Sequence, residues 1–358
     1  MYKRLGKFFT VALSAMLILL SASFSKVQAA EVYRLSGKDR MSTANDVALK
    51  IFKDSKPDSI VLVNGYRYPD AATGAPLSKL VKGPVLLTNG LKLEPEILKT
   101  IKELGAKKVY ILGSAGVVSN SIENELKNRG FSVTRYAGKD RYETNIKVAE
   151  QILKLNPKCK NCLMVSAGDD NRYPDSLTVA PIAAMKGWPV IFVNKYEVPK
   201  IAKNLINKNK LKPLAVGSSG ILPDSVIKSV NGERITKDKD AKNRFDTNLT
   251  VLKYFQEKGD NLDFSKVYIA QGGRTKDQFA DGLVAAAAAA KTGSPLVLSG
   301  NGAGAIEVEN AKKFIVNSVD PHSKIYLIGG PTCVSEIIKN DIQNEIADNN
   351  KFEVISIN

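Results

Sequence analysis

Histidine is all but missing from this chain: His322 is the only one in 358 residues. Cysteine is nearly as scarce, with Cys159, Cys162 and Cys333 alone. A structural zinc site needs four Cys or His ligands brought together. The Cys159-Lys160-Asn161-Cys162 pair supplies half of such a set, and neither a second pair nor a nearby His completes it, so no metal is expected. The pair fits either a local disulfide or two incidental thiols. A Ser–His–acid triad would have to draw on His322, whose neighbours Pro321 and Ser323 read as a loop. Gly113-Ser114-Ala115-Gly116 lacks the residue order of a nucleophile elbow. No phosphate-binding loop ending in Lys-Ser or Lys-Thr occurs, and no Gly-x-Gly-x-x-Gly follows a strand, so no nucleotide cofactor is expected. The familiar hydrolase and nucleotide-enzyme signatures are therefore absent, and the chain does not read as an enzyme.

Long apolar runs are also lacking. Beyond the first thirty residues nothing approaches the roughly 18 apolar residues of a membrane span; Ala285 to Ala290 is too short and is followed by Lys291. The N-terminus reads as a secretory signal, 1–29. It has a basic head (Lys3, Arg4, Lys7), an apolar stretch from Phe8 to Leu20, and small residues at Val27-Gln28-Ala29, with cleavage expected after Ala29. A retained anchor is the competing reading, disfavoured by the shortness of the apolar core. The expected product is exported and soluble. Its leader carries four basic residues and no acid, so 48 of the 52 basic residues remain against 36 acids, a net charge near +12. Such an excess favours polyanionic partners. Outside a cell these are wall polymers bearing phosphate or carboxylate, or anionic lipid; nucleic acid is not expected there. A basic surface with no specific ligand is the plainer alternative.

What the chain has in abundance is repetition. Arg40-Met41-Ser42-Thr43, Arg141-Tyr142-Glu143-Thr144 and Arg244-Phe245-Asp246-Thr247 recur about a hundred residues apart. Roughly thirty residues later come Tyr68-Pro69-Asp70, Tyr173-Pro174-Asp175 and Phe279-Ala280-Asp281. Pro84, Pro189 and Pro295 then open apolar runs. A period this long makes each copy a small domain: 30–134, 135–232 and 233–358. Three linked copies suit a binder that gains from valency better than an enzyme, which needs one active site.

Within a copy, apolar strands alternate with amphipathic helices. The first copy gives strand Val32–Leu35, a helix from about Thr43 to Lys53, strand Ser59–Val63, a helix opening at Asp70, and a strand from Pro84 to Thr88. A helix Glu94–Leu104, strand Val109–Leu112 and helix Val118–Arg129 complete it. Strands apolar throughout, joined by helices, predict parallel sheets covered on both faces, an α/β doubly wound, Rossmann-like sandwich. The closing strand Phe352–Ile357 is expected to match Phe131–Val133. No Pro-, Ser- or Gly-rich linker separates the copies, so they are expected to pack together. The alanines Ala285 to Ala290 let a helix approach its neighbour closely.

Arg34-Leu35-Ser36-Gly37-Lys38-Asp39-Arg40 and Arg135-Tyr136-Ala137-Gly138-Lys139-Asp140-Arg141, with Thr43 and Thr144 behind them, resemble the opening phrase of the type 2 cell-wall-binding repeat of clostridial surface proteins. The aromatic-Pro-Asp phrase and the Pro-led apolar run fit the same family. The resemblance spans three repeats. It implies Rossmann- or toprim-like modules arranged as a pseudo-threefold trimer within one chain. It further implies non-covalent anchoring, as a monomer, to an anionic secondary wall polymer or teichoic-acid-like glycan of a Gram-positive cell surface. The third copy departs at Arg234-Ile235-Thr236, where Gly-Lys-Asp is missing, and carries the insertion Lys237 to Asp240.

Two roles are open for the repeated residues. Thr43, Thr144 and Thr247 are placed to cap a helix, as are Asp70, Asp175 and Asp281, and Arg and Asp can pair with each other. Alternatively, Arg40, Arg141 and Arg244 with exposed N–H groups at a helix start form an anion site. The Arg lean towards ligand contact, together with Lys38, Lys139 and the three Thr; the Asp lean towards structure. The rule that ligands bind beyond the C-terminal ends of parallel strands adds Asn64, Gly65, Ala167, Gly168, Gln271, Gly272, Thr88, Asn194 and Ser299. The competing function is an exported wall or carbohydrate hydrolase using the three Asp as acid and base; a two-lobed solute-binding protein does not fit three equivalent modules.

Overall fold

The computed structural model describes residues 30–169, 171–259 and 262–355, with side chains as far as 348. The leader read as a signal lies outside them. Among the described residues no helix is long and apolar enough to cross a membrane.

β1 (Glu31–Leu35) begins the described chain. The first module contributes β2 (Ser59–Asn64), β3 (Val85–Thr88) and β4 (Lys108–Leu112), followed by β5 (Ser132–Tyr136). The second contributes β6 (Asn161–Ser166), β7 (Val190–Val193) and β8 (Lys212–Ala215), followed by β9 (Glu233–Arg234). The third contributes β10 (Lys266–Gln271), β11 (Leu296–Ser299) and β12 (Lys324–Ile328). They form three four-stranded sheets, β3-β2-β4-β5, β7-β6-β8-β9 and β11-β10-β12-β1. Every pairing is parallel. All residues of β2, β3, β7 and β11 are buried, as strands covered on both faces must be.

The fourth strand of each sheet is the segment that leads into the next module's Arg motif. β5 and β9 do this for the first two sheets, and β1 does it for the third, pairing Val32 with Ile325 and Leu35 with Ile328. The expectation that Val32–Leu35 opens the first module is thus corrected: it completes the last. The expected strand at Phe352–Ile357 is corrected with it. Helix Glu336–Ile355 runs there, since the edge of β12 is already taken by β1; residues 356–358 lie outside the described part.

One arginine fastens each fourth strand. Arg34 donates to the carbonyls of Gly329 and Val334 and pairs with Glu336. Arg135 does the same with Gly113, Val118 and Glu123, and Arg234 with Gly217, Leu222 and Asp224. Their side chains are only 15%, 14% and 13% exposed. Charge-assisted bonds to loop carbonyls are stronger than neutral ones.

The modules meet on helices Gly74–Leu80, Tyr173–Lys186 and Ala280–Thr292, which pack on one another in pairs. Ala285 to Ala290 are buried there, so the packing role read for them is what the structure shows. Gly282 brings the third helix against Leu177 of the second: a Cβ added to it would lie 2.7 Å from Leu177 Cδ1. At one end of these helices Tyr68, Tyr173 and Phe279 form a triangle, with ring centroids 6.1, 6.2 and 6.2 Å apart. Edge-to-face and tilted contacts of this kind are favourable beyond the buried area itself. One hydrophobic cluster runs through all three modules around this axis, and the first two modules each add a separate cluster on their outer side.

Two sheets have their other edge guarded by an asparagine. Asn145 Nδ2 donates to Val190 O and its Oδ1 accepts from Phe192 N; Asn248 does the same for Leu296 and Leu298. Side-chain pairing of this kind keeps an edge strand from recruiting another chain. The first copy has Ala44 at that position.

Arg34→Ala should lower unfolding stability by on the order of 3 kcal/mol, since it leaves buried carbonyls unpaired where β1 closes the third sheet. Arg129→Ala, which removes an exposed pair with Glu125, should change it by less than about 0.5 kcal/mol. Urea denaturation of the two variants, followed by circular dichroism, gives the comparison; equal effects would show that the clamp is not what holds β1.

Candidate ligand-binding clefts between the modules

The Arg motif begins a helix in every module, and the cap is not the expected Thr. Asp39 and Asp140 cap Arg40–Phe52 and Arg141–Leu155 by accepting from Ser42 N and Glu143 N. Asn243 caps Arg244–Glu257, accepting from Phe245 N and Asp246 N. Thr43 and Thr144 instead tie down the preceding glycine turn: their Oγ1 atoms accept from Gly37 N at 3.0 Å and Gly138 N at 2.9 Å. Thr247, whose copy lacks that glycine turn, donates to Asn243 O at 2.8 Å.

The three arginines cross to the C-terminal end of the first central strand of their own module. Arg40 Nη1 donates to Gly65 O at 2.6 Å and Arg141 Nη1 to Ala167 O at 3.1 Å. Arg244 Nη1 reaches Gly272 O, Gly273 O and Tyr173 Oη at 2.8, 2.7 and 2.9 Å. Each guanidinium also faces an aromatic ring. Arg40 lies 4.1 Å from the centroid of Tyr66, Arg141 6.0 Å from Tyr68 and Arg244 5.5 Å from Tyr173. The last two contacts cross a module boundary. So do hydrogen bonds from Tyr68 Oη to Asp169 O and from Tyr173 Oη to Gly272 O. Phe279 has no hydroxyl to make the third.

Asp70, Asp175 and Asp281 are not side-chain caps. Asp70 and Asp175 stand third in their helices and Asp281 second, after starts with no side-chain cap bond. Their carboxyls turn instead to the glycine that ends the third central strand of the same module. At Gly113, Gly217 and Gly329 (φ 113°, 120° and 103°) an added Cβ would lie 2.9, 3.0 and 2.5 Å from the facing Oδ2. Only glycine fits both that backbone and that approach. Each Asp also feels the Arg of the following module: Asp70 feels Arg141, Asp175 feels Arg244, and Asp281 feels Arg40. The series is cyclic, so this relation between the motif Arg and Asp acts between copies. Burial dominates the charge balance. It pushes Asp70 and Asp175 up to about 6 and raises Asp281, against the pull of those arginines, of Arg172 on Asp175, and of hydrogen bonds from Thr144 to Asp70 and from Cys333 and Gln271 to Asp281.

The boundary between the first two modules opens into a cleft of about 490 Å³. Arg67, Lys139, Lys276 and exposed Tyr66 stand on its rim, with Asp70, Arg141 and Thr144 deeper in. Asp140 and Asp277 also line it. The corresponding cleft between the second and third modules is about 130 Å³ and contains Arg172, Asp175, Arg244 and Thr247. Arg40, Thr43 and exposed Lys38 belong to the remaining boundary. Asn64 and Asn194 line neither cleft. Asn64 holds Asn89 O, Val117 O and Tyr66 N, and Asn194 Oδ1 accepts from Tyr196 N and Glu197 N, so both shape loops. Gln271 donates to Asp281, and Thr88 to Glu94. Three features escaped the sequence reading: the Arg34–Arg135–Arg234 clamps, the Asn145 and Asn248 edge guards, and Arg67 and Lys276 on the cleft rim. The first two sets stood at repeated positions and were visible on that ground, as was Arg67, whose counterpart is Arg172; Lys276 is not repeated, and only the fold brings it to the rim.

Cys159 and Cys162 are buried free thiols and Cys333 is partly buried; burial raises the pKa of all three, Cys333 to about 11. Among the described residues no group of three or more His, Cys, Asp or Glu side chains is placed to hold a metal.

A buried carboxyl that titrates near 6 binds its proton more tightly in the folded than in the unfolded chain. Its stabilising contribution is complete below about pH 4 and fades as pH rises through 6. Asp175→Asn should therefore gain melting temperature relative to the unaltered chain on going from pH 4.5 to pH 7.5. A difference that stays constant across that interval would show that Asp175 is not raised.

Cell wall binding domain 2 (CWB2) matches this chain three times, over residues 34–123, 135–227 and 240–339. N-acetylmuramoyl-L-alanine amidase LytC of Bacillus subtilis (strain 168) is 28% identical over 323 residues, 90% of this chain and 60% of that protein. The amidase enhancer of the same organism is 25% identical over 328 residues, 90% of this chain and 42% of the relative. The chain thus spans about half the length of these relatives. Among solved structures, Cwp8 from Clostridium difficile superposes with a TM-score of 0.74 at 27% identity, covering 88% of this chain and 52% of that one. Cwp6 from the same organism superposes with a TM-score of 0.76 at 24% identity, covering 89% and 48%, and speaks to the fold alone. With three matches covering most of its length, this chain belongs to the cell wall binding domain 2 (CWB2) family.

Proposed function

We propose that this protein is exported and holds non-covalently to an anionic polymer of a Gram-positive cell wall, gripping it in the clefts between its modules. The observation that carries the reading is the first cleft, where residues of all three modules converge to place Arg67, Lys139 and Lys276 around one opening. A flexible polyanion gains from several cations on a rigid frame, and further boundaries of the same construction add avidity. Exposed Tyr66, backed by Arg40, offers a flat face for a sugar ring. Family membership and the net positive charge support the same conclusion. The motif arginines Arg141 and Arg244 act in it chiefly by fixing the cleft walls, since their guanidinium groups are already bonded to carbonyls.

A competing reading has one observation of its own. Asp70, titrating near 6, shares the first cleft with Asp140 and Asp277, a set of carboxyls that a wall hydrolase could use. The two readings separate in one experiment with purified wall glycan. Anchoring predicts co-sedimentation at low salt that falls steeply as salt rises, at least tenfold weaker binding for the triple variant Arg67→Glu, Lys139→Glu, Lys276→Glu, and no release of fragments. Hydrolysis predicts fragment release that stops in Asp70→Asn. Failure to co-sediment at low salt would overturn the anchoring reading.

A further inference from the structure

At the opposite end of the molecule from these clefts, where the central strands begin, lies a second opening of about 670 Å³. All three modules build it. The first supplies most of the wall, the second supplies Leu155 from the end of helix Arg141–Leu155, and the third supplies Lys291 from the end of helix Ala280–Thr292. Its apolar lining comprises Phe52, Leu80, Val81, Tyr110 and Leu155, the last 44% exposed and so not covered by the fold itself. Around that lining stand five lysines: Lys56, Lys79, Lys82, Lys108 and Lys291. The single carboxylate on the wall among the described residues, Asp58, is already paired with Lys108 at 2.8 Å.

This concentration of one sign is held against opposition. Lys79 Nζ donates to Lys291 O at 3.1 Å, and Lys291 Nζ donates to Ile51 O while lying 4.8 Å from the centroid of Phe52. Both ammonium groups are half-buried, and burial lowers their pKa; Lys291 is lowered further by Lys266 and Lys79, against the opposing pull of Asp54. Lys56 and Lys82 sit at φ 44° and 56°, left-handed backbone that a side chain other than glycine adopts at a penalty. Two half-buried and two strained lysines beside an apolar floor form a site with a charge requirement and a shape requirement together.

We propose that this basal opening binds an amphipathic anion, a phosphate-bearing alkyl chain of the kind found in membrane lipids, with the phosphate among the lysines and the chain on Val81, Tyr110 and Leu155. An inorganic anion would leave the apolar floor wet, and a neutral amphiphile would leave the lysines uncompensated, so neither satisfies the site alone. The site is separate from the clefts of the proposed function and does not rest on them.

Monomeric dodecyl phosphate, titrated calorimetrically into the full chain below its micelle threshold, should show saturable binding with one site per molecule. The double variant Lys56→Gln, Lys82→Gln, which touches no hydrogen bond described above, should weaken it at least tenfold, and Leu155→Asp should do the same through the floor. Dodecyl maltoside and inorganic phosphate should each bind at least tenfold more weakly. Equal binding of dodecyl maltoside would overturn the charge requirement, and equal binding of inorganic phosphate would overturn the apolar one. Absence of saturable binding, or full affinity in both variants while circular dichroism reports an intact fold, would overturn the proposal.

Discussion

Everything in this structure depends on an edge strand being lent from one module to the next. A parallel sheet of three strands ends in an edge of unpaired N–H and C=O groups, and such an edge must be covered. Here β5 and β9 cover it while leading the chain onward, and β1 covers the last sheet by returning to the beginning. The arrangement turns a linear triplication into a closed ring, so no module owns all of its own core. Arg34, Arg135 and Arg234 make the loan firm, each clamping the loop it borders with charge-assisted bonds from a largely buried side chain.

The clefts are a by-product of that ring. Because the Arg of each motif helix is turned towards the Asp of the preceding module, the most polar part of the repeat is carried to the boundaries. Burial there outweighs pairing, which keeps Asp70 and Asp175 half-protonated near pH 6. A neutral carboxyl beside an incoming polyanion repels it less than a charged one, so the same burial that weakens folding at neutral pH favours an acidic ligand in mildly acidic surroundings. The three boundaries are not copies of one another, as the contrast between 490 and 130 Å³ makes plain. Tyr66 has Asn171 and Asp277 as its counterparts, and Phe279 replaces a tyrosine whose hydroxyl elsewhere crosses the boundary.

Much of this was legible in the residues. The alternation of apolar runs and amphipathic helices carried the parallel α/β architecture, because strands buried on both faces leave no polar positions to confuse the pattern. The spacing of Tyr68, Tyr173 and Phe279 marked the repeat, and the alanines of 285–290 marked the close helix packing. What was not legible was partnership across modules. A strand such as Val32–Leu35 has the same sequence whichever sheet it joins, and a carboxyl such as Asp70 looks like a cap until Gly113 is seen opposite it. Thr43 and Thr144 were misread for a local reason: Asp39 and Asp140, one position before the helix, are better placed acceptors, which frees each hydroxyl to secure the glycine turn. The phrase Phe352–Ile357 has strand composition, yet β1 already holds the side of β12 that its described part was expected to join.

The return of β1 to the third sheet has a temporal consequence. Strand β1 finds its partner, β12, only after nearly three hundred further residues have been made. Until then the leading strand has nowhere to dock and the ring stays open. A chain wired in this way is kept from completing its tertiary structure while it is still growing.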